Sequence, residues 1–259
     1  MNQFFSSMEF LRHRLTAGNE HDIHSPFVYD LYTNVIAADG MYYAFERIES
    51  VRSRMLLSYE KIPVQDFGTG GEEKRQRLLS LSFIANNFLK PQKEARLLFR
   101  LVNFFRPRYV LEMGTSLGIS TLYMAAPDGK STVVTLEGCP NTALVAKKNF
   151  ELAGMRNIIQ EVGEFSVSLP IALVRLPFID FAYFDGNHRR KATLDYFYAC
   201  LDKRGENSVF VFDDIYWSRE MAQAWNEIRN HPSVTVSMDL YSMGIIFFHT
   251  TQPDRKSTR

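Results

Sequence analysis

The sequence is poor in cysteine, carries almost no net charge, and has no long apolar run at its start. Cys139 and Cys200 are the only two cysteines and have no CxxC partner, which fits a reducing compartment. The net charge of +1 gives no reason to expect a nucleic acid or a membrane surface as partner. Glu9, Arg12 and Arg14 near the N-terminus argue against a signal peptide or a membrane span. We therefore expect a cytoplasmic protein.

The chain has enough apolar residues for a full core. Hydrophobic residues make up 46% of the 259 positions and charged residues 23%, so global disorder is excluded. This length fits one large domain, or one domain with an extension. The pattern changes near residue 95, and we predict a helical N-terminal extension or cap over residues 1–94 and a second domain over residues 95–259.

Residues 1–94 show mostly helical spacing. Ser25 is a typical N-cap with Pro26 at the first helical position, and residues 43–59 have one apolar helical face. Residues 66–71 imitate a glycine-rich cofactor loop, but no long apolar strand precedes them. We interpret that segment as a flexible turn.

Short apolar strands and helices alternate after residue 95. The predicted strands are residues 108–113, 131–137, 158–162, 179–184, 208–212, 234–240 and 244–249. The predicted helices between them are residues 119–126, 141–153, 165–173, 189–201 and 219–230. The alternation predicts an α/β fold with a mostly parallel sheet covered on both faces. The last two strands are too close in sequence for a crossover helix, so they must pair as an antiparallel hairpin.

The first strand of this region ends in a glycine turn. Its pattern is Glu112-x-Gly114-x-x-x-Gly118-x-Ser120, and a helix follows. A strand that passes through glycine into a helix is expected to leave backbone N–H groups unpaired around a cavity. The spacing differs from the dinucleotide pattern G-x-G-x-x-G. A carboxylate at Glu112 would repel a pyrophosphate but could pair with an ammonium group.

The next strand ends in an acid, Glu137, nineteen residues after Gly118. A ribose diol bound in an α/β fold needs a paired acceptor at this place. The turn and the acid together predict a pocket for a nucleoside cofactor.

Acidic residues end two further strands. Asp185 follows one strand within Asp-Gly-Asn-His188, and Asp213 and Asp214 end the next strand. Neighbouring parallel strands would bring these carboxylates to one edge, where they repel unless a cation or protons compensate. Oxygen ligands favour Mg²⁺ or another hard divalent ion. The alternative is that one aspartate caps a helix and the others are solvated.

The glycine turn and the following acid resemble the first motif of the class I S-adenosylmethionine-dependent methyltransferases. Asp185-Gly-Asn-His188 and Asp213-Asp214 resemble the metal-dependent small-molecule O-methyltransferases, such as catechol O-methyltransferase and its bacterial relatives. The resemblance covers about the last two-thirds of the chain. It implies a Rossmann-like methyltransferase sheet of seven strands, mostly parallel with an antiparallel last strand.

The resemblance also implies roles for individual residues. The turn, with Gly114, Thr115, Ser116 and Gly118, would lie against the methionine part of S-adenosylmethionine. Glu112 and Ser120 would contact its amino-acid end, Glu137 its ribose, and Gly163, Glu164 and Phe165 its adenine, with Asp185 at the edge of the cofactor site. The metal ligands would be Asp185, Asp213 and Asp214, and His188, three residues after Asp185, would be the catalytic base.

The implied activity is O-methylation of a small hydroxylated acceptor with the assistance of a divalent cation. A methyltransferase acting on nucleic acid or protein is one alternative, weakened by the lack of a Pro-Pro turn and of a basic stripe. An NAD(P)-dependent oxidoreductase and a catalytically silent binding protein are two others. We expect no nucleic-acid or membrane partner. The N-terminal helices would cover the acceptor site or form a homodimer contact.

Overall fold

The computed structural model describes residues 3–16, 25–65, 76–248 and 256–258, and an eight-stranded sheet is its main feature. Its strand order is β10-β8-β9-β7-β6-β3-β4-β5. These strands are β3 Tyr109–Met113, β4 Thr132–Glu137, β5 Ile158–Val162, β6 Ile179–Phe184, β7 Arg204–Asp213, β8 Val236–Asp239, β9 Met243–Phe247 and β10 Lys256–Thr258.

The sheet has the predicted mixture of strand directions. Strands β3 to β7 are parallel to their neighbours among themselves, whereas β9 is antiparallel to both β7 and β8. The predicted antiparallel hairpin is confirmed, and β9 inserts between its hairpin partner and the parallel strands. The three-residue strand β10, parallel to β8, was not predicted.

Helices cover the sheet and form most of the N-terminal region. They are α1 Gln3–Thr16, α2 Pro26–Leu31, α3 Tyr43–Leu56, α4 Leu81–Phe88, α5 Gln92–Phe105, α6 Ile119–Ala125, α7 Pro140–Leu152, α8 Phe165–Arg175, α9 Arg190–Leu201 and α10 Arg219–Arg229. A π-helical turn, Tyr32–Ile36, continues α2. No helix in this described part of the chain is long and apolar enough to cross a membrane.

Both faces of the central strands are buried, and alternation along each strand decides which helices a side chain meets. In β3, Leu111 and Met113 belong to the core under α8, α9 and α10, whereas Val110 belongs to the core under α2 and α5. Successive side chains of a strand point to opposite faces, so an unbroken apolar run suits a sheet with helices on both sides.

The chain order changes direction at β3. From β3 the chain proceeds through β4 to β5 on one side, and then returns to the other side of β3 as β6 and β7. Ligands of open α/β sheets bind at such a reversal, beyond the carboxyl ends of the strands. A ligand site is therefore expected at the segments that follow β3, β4, β6 and β7.

The N-terminal region packs on α6 and α7. Phe45 and Ile48 of α3 share a core with Leu122 and Tyr123 of α6. The region also contains an antiparallel hairpin of β1 Lys61–Gln65 and β2 Gln76–Ser80, which the helical pattern did not predict. The glycine-rich segment 66–71, interpreted as a turn, lies outside the described residues.

Candidate functional site

The glycine turn after β3 lies tightly against the end of β6. Gly114 has a φ of 102°, and a Cβ atom there would overlap the backbone carbonyl of Asp185. Gly118 has a φ of 86°, and its Cβ would lie 2.5 Å from Cε1 of Phe150. The two glycines are thus required by conformation and by close approach. Gly114 allows the ends of β3 and β6 to come together, and Gly118 allows the turn to pack on α7.

The backbone amides of this turn are used within the protein. Those of Gly114 and Thr115 donate to the carbonyl of Leu136 at 3.0 and 3.1 Å, and that of Gly118 donates to the carbonyl of Thr115 at 2.8 Å. The amide of Ser116 donates to Oε2 of Glu137 at 2.8 Å. The expectation of unpaired N–H groups around a cavity is therefore wrong for these four amides. They fix the shape of the turn.

Glu112 is completely buried and accepts hydrogen bonds from three hydroxyl groups. Ser120 donates to Oε1 at 2.6 Å, Thr135 donates to Oε2 at 2.6 Å, and Thr121 donates to Oε2 as well. Burial raises the pKa of Glu112 to about 7, although the three hydroxyl donors oppose the rise. The structure thus brings Glu112 and Ser120 together and encloses the carboxylate.

Glu137 ends β4 with both carboxylate oxygens held by backbone amides. Besides the bond from Ser116, Oε1 accepts from the amide of Cys139 at 2.9 Å. Burial raises the pKa of Glu137 to about 6, and the bonds from Cys139 and Ser116 lower it in part. Glu137 as a whole is half-buried, and the two backbone bonds fix the direction of its carboxylate.

The segment after β5 approaches the end of β6. Gly163 has a φ of 141°, and a Cβ there would meet no atom within 4 Å. Glu164 is the exposed N-cap of α8, and the half-buried ring of Phe165 lies so close to Gly186 that a Cβ there would be 2.5 Å from Cε2 of the ring. Of the three residues predicted to border adenine, Phe165 reaches the segment that follows Asp185.

The predicted acidic edge is present. Phe184 and Phe212 are paired across β6 and β7, so Asp185 and Asp213 follow at equivalent places. Nε2 of His188 lies 3.7 Å from Oδ1 of Asp185 and 3.9 Å from Oδ2 of Asp214. Neighbouring strand ends therefore assemble three carboxylates and one imidazole into a single group, which we call the acidic edge.

A lysine from the N-terminal region joins the acidic edge. Nζ of Lys90, between α4 and α5, is in direct ion-pair contact with Oδ2 of Asp213 and lies 3.6 Å from Oε2 of Glu94. The Lys90 side chain is 10% exposed and that of Asp213 is 1% exposed. Sequence reasoning missed Lys90, because it precedes the aspartates by more than ninety positions and belongs to no motif.

The charges at the acidic edge act on one another. Burial alone would raise the pKa of Asp185, but the charges of Lys90 and His188 lower it. Burial and the charge of Asp185 raise the pKa of Asp213, against the opposing charge of Lys90. Burial opposes the charged form of Lys90, yet the three aspartates raise its pKa above the usual value. The neighbouring carboxylates therefore favour the ammonium form of Lys90.

The acidic edge does not fit the predicted metal ion. Oδ1 of Asp213 is buried without a hydrogen-bond partner among the described residues, which by itself would favour a cation. The ammonium of Lys90 already contacts the same carboxylate and would repel a divalent ion placed beside it. Within the described ranges, no group of three or more His, Cys, Asp and Glu side chains has the arrangement of a metal site.

Comparisons with known proteins agree with the fold and the glycine turn. Residues 111–215, from β3 to just beyond the acidic edge, match a family model described as a methyltransferase domain. A comparison with curated proteins found no match.

Solved structures of methyltransferases share the fold. A methyltransferase from Podospora anserina, bound to S-adenosylhomocysteine (SAH), has 14% identity and a TM-score of 0.60, over 89% of this chain and 99% of that chain. An O-methyltransferase from Bacillus cereus in complex with SAH has 18% identity and a TM-score of 0.54, over 85% and 97%. An O-methyltransferase from Streptomyces achromogenes, involved in tomaymycin synthesis and bound to S-adenosylmethionine (SAM), has 16% identity and a TM-score of 0.56, over 86% of this chain and 96% of that chain.

Proposed function

Since this chain carries a methyltransferase domain on the class I S-adenosylmethionine-dependent fold, we propose that it methylates an oxygen atom of a small hydroxylated molecule. The observation that carries the proposal is the placement of Glu137. Its carboxylate is held by two backbone amides beside the glycine turn, at the sheet position where a ribose diol needs an acceptor.

The residues around the turn fit the cofactor S-adenosylmethionine. Glu137 would accept hydrogen bonds from both ribose hydroxyls, and Phe165 would border the adenine beside the open space at Gly163. Glu112 is enclosed, so we propose that its charge attracts the ammonium of the cofactor across the hydroxyl of Ser120, without direct contact. The neighbouring methyltransferases that bind SAM or SAH support this choice of cofactor.

The acidic edge would receive the acceptor. When bound, S-adenosylmethionine supplies an activated methyl group, whose bond to sulfur breaks as its bond to the acceptor oxygen forms. This chain must then align the oxygen and take its proton. We propose that His188 accepts that proton, since Asp185 and Asp214 lie close enough to stabilise the imidazolium. The ammonium of Lys90 at Asp213 would repel a divalent ion, so we assign the proton transfer to these side chains alone.

Calorimetric titration with S-adenosylhomocysteine (SAH) tests the proposal. We expect saturable 1:1 binding to the wild-type protein. Glu137→Gln keeps the size of the side chain but replaces one acceptor oxygen, so its affinity should fall by about tenfold or more. Glu151→Gln, an exposed acid at the end of α7, is the matched control and should bind as the wild type does.

NADH is the control ligand. Binding of NADH in place of SAH would contradict the cofactor assignment and favour an oxidoreductase. Failure to bind either ligand, with a normal thermal unfolding transition, would favour a catalytically silent binding protein.

A further inference from the structure

Lys90 is held at the acidic edge by the connection between two helices. Helix α4 ends at Phe88 and α5 begins at Gln92, so Lys90 is the middle residue of the three-residue link 89–91. Proline fixes its own φ and restricts the residue before it, so Lys90 has few backbone conformations available. Its side chain lies along the protein interior with Nζ against Asp213.

We propose that the ammonium of Lys90 takes the place of a divalent cation at the acidic edge, so that the site works with a cation supplied by the chain itself. Three carboxylates at neighbouring strand ends need positive charge close by. Lys90 meets that need at Asp213, the most deeply buried of the three. The edge therefore has the acids of a metal site and a lysine paired with the most buried of them.

The surroundings of Lys90 keep it in place. A buried ammonium must remain paired, and that of Lys90 contacts Oδ2 of Asp213 directly and has Oε2 of Glu94, the fourth residue after Lys90, 3.6 Å away as a second charged partner. A divalent ion at Asp213 would have to displace the ammonium from its principal partner. It would also lie within a few ångströms of a like charge of low solvent exposure.

A lysine changes what the acceptor must offer. A metal ion with free positions can chelate two adjacent hydroxyl groups, whereas an ammonium offers hydrogen bonds to individual oxygen atoms. If the proposed methyl transfer holds, an acceptor with a single hydroxyl would suffice, and vicinal hydroxyl groups would give no advantage. This consequence for the acceptor rests on the proposed function, whereas the inference that Lys90 occupies the place of a cation at Asp213 does not.

Binding of Mn²⁺, measured by calorimetry and by electron paramagnetic resonance, tests the inference. We expect no saturable Mn²⁺ site in the wild type. Lys90→Ala should gain one saturable site, because the three acids then lack their cation. Lys93→Ala, which removes an exposed lysine of α5, is the matched control and should behave as the wild type does.

A second variant locates the gained site. Lys90→Ala/Asp213→Asn removes the lysine together with its partner charge, and it should lose the Mn²⁺ site that Lys90→Ala gains. If Lys90→Ala does not fold, Mn²⁺ binding to the wild type and to Asp213→Asn tests the inference without it. A wild type without a saturable site supports the inference. A saturable Mn²⁺ site in the wild type that disappears in Asp213→Asn overturns it, and so does a folded Lys90→Ala protein that gains no site.

SAH titration of the same preparations separates the two proposals. A wild type that binds SAH and also Mn²⁺ at Asp213 keeps the proposed function and overturns the role of Lys90. A wild type that binds neither ligand, while Lys90→Ala gains Mn²⁺, keeps the role of Lys90 and contradicts the proposed function.

Discussion

At the scale of single residues, Glu112 connects the strand, the helix and the neighbouring strand around the glycine turn. Its carboxylate accepts from Ser120 and Thr121 of α6 and from Thr135 of β4. A buried acid is costly to ionise, and burial raises the pKa of Glu112 to about 7 from its usual 4.5. The residue therefore links protein stability to pH.

The raised pKa fixes the sign of that link. The folded state holds the Glu112 proton more tightly than the unfolded chain does, so this contribution to stability is complete below pH 4.5 and is lost as pH rises through about 7. Between pH 5 and pH 8 we expect Glu112 to remove about 2 kcal/mol from the free energy of unfolding. Urea unfolding at the two pH values, compared with Glu112→Gln, measures it.

The Glu112→Gln variant should lack this loss, because an amide does not ionise. Its free energy of unfolding, relative to that of the wild type, should therefore increase from pH 5 to pH 8. Glu151→Gln, at an exposed position, controls for general charge effects. A difference between wild type and Glu112→Gln that is the same at both pH values would mean that Glu112 titrates normally.

At the scale of secondary-structure elements, the turn between β3 and α6 lies so close to the end of β6 that Gly114 has no room for a side chain. Gly114 has a positive φ, and its Cα faces the backbone carbonyl of Asp185. The amide of Asp185 in turn donates to the carbonyl of Met113 at 2.8 Å. The glycine turn and the acidic edge thus meet through the backbone atoms of Met113, Gly114 and Asp185.

Gly114→Ala should disturb both places at once. The added Cβ would be strained by φ and would overlap a carbonyl that cannot move independently of β6, so we expect a loss of about 2 kcal/mol or more in stability. SAH binding should weaken as well. Urea unfolding and calorimetry measure the two effects.

Gly129→Ala is the matched control, since a Cβ at Gly129 would meet no atom within 4 Å. It should change the free energy of unfolding by less than about 0.5 kcal/mol. A Gly114→Ala protein as stable as Gly129→Ala would contradict the packing described for the turn.

The same elements explain how far the sequence could be interpreted. Strands such as Ile158–Val162 and Ile179–Phe184 were predicted at their observed bounds, because short apolar runs between turn residues identify buried strands. The hairpin of β1 and β2 was missed, since five-residue strands, one containing Pro63, carry little periodicity.

The candidate site shows the same limit. Glu112, Glu137 and the aspartates lie at the ends of strands or directly after them, and could be predicted as strand-end residues. Lys90 lies between helices, and only the packing of α4 and α5 brings it to Asp213. The paired state of the turn amides was also unpredictable, because their acceptors belong to β4.

At the scale of the whole molecule, Asp239 links α1, near the start of the chain, to α10 and the segment after β7. This buried acid at the end of β8 accepts from the hydroxyl of Tyr216 at 2.6 Å and from Nε1 of Trp225 at 3.2 Å. Nε2 of His13 in α1 lies 3.2 Å from its other oxygen. Tyr216 follows the acidic edge closely, so Asp239 connects α1, α10 and the segment after β7.

Asp239→Ala should therefore loosen distant parts together. The hydroxyl of Tyr216 and the indole N–H of Trp225 would lose their acceptor, and Trp225 is almost fully buried. We expect the free energy of unfolding to fall by about 3 kcal/mol in urea titrations. Hydrogen exchange in α1 should accelerate as well, because His13 loses the carboxylate that it faces.

Asp202→Ala, at an exposed acid, is the matched control. It should change the free energy of unfolding by less than about 0.5 kcal/mol and leave hydrogen exchange in α1 at the wild-type rate. If Asp239→Ala lowered stability while exchange in α1 stayed at the wild-type rate, the carboxylate of Asp239 would contribute nothing to the attachment of α1. The contacts that the variant keeps, from Nε2 of His13 to the backbone carbonyl of Asp239 at 3.0 Å and between the rings of Phe10 and Tyr241 at 5.1 Å, would then suffice to hold the helix. An accelerated exchange confined to α1 and to the segment after β7 would instead establish that one carboxylate couples the N-terminal helix to the acidic edge.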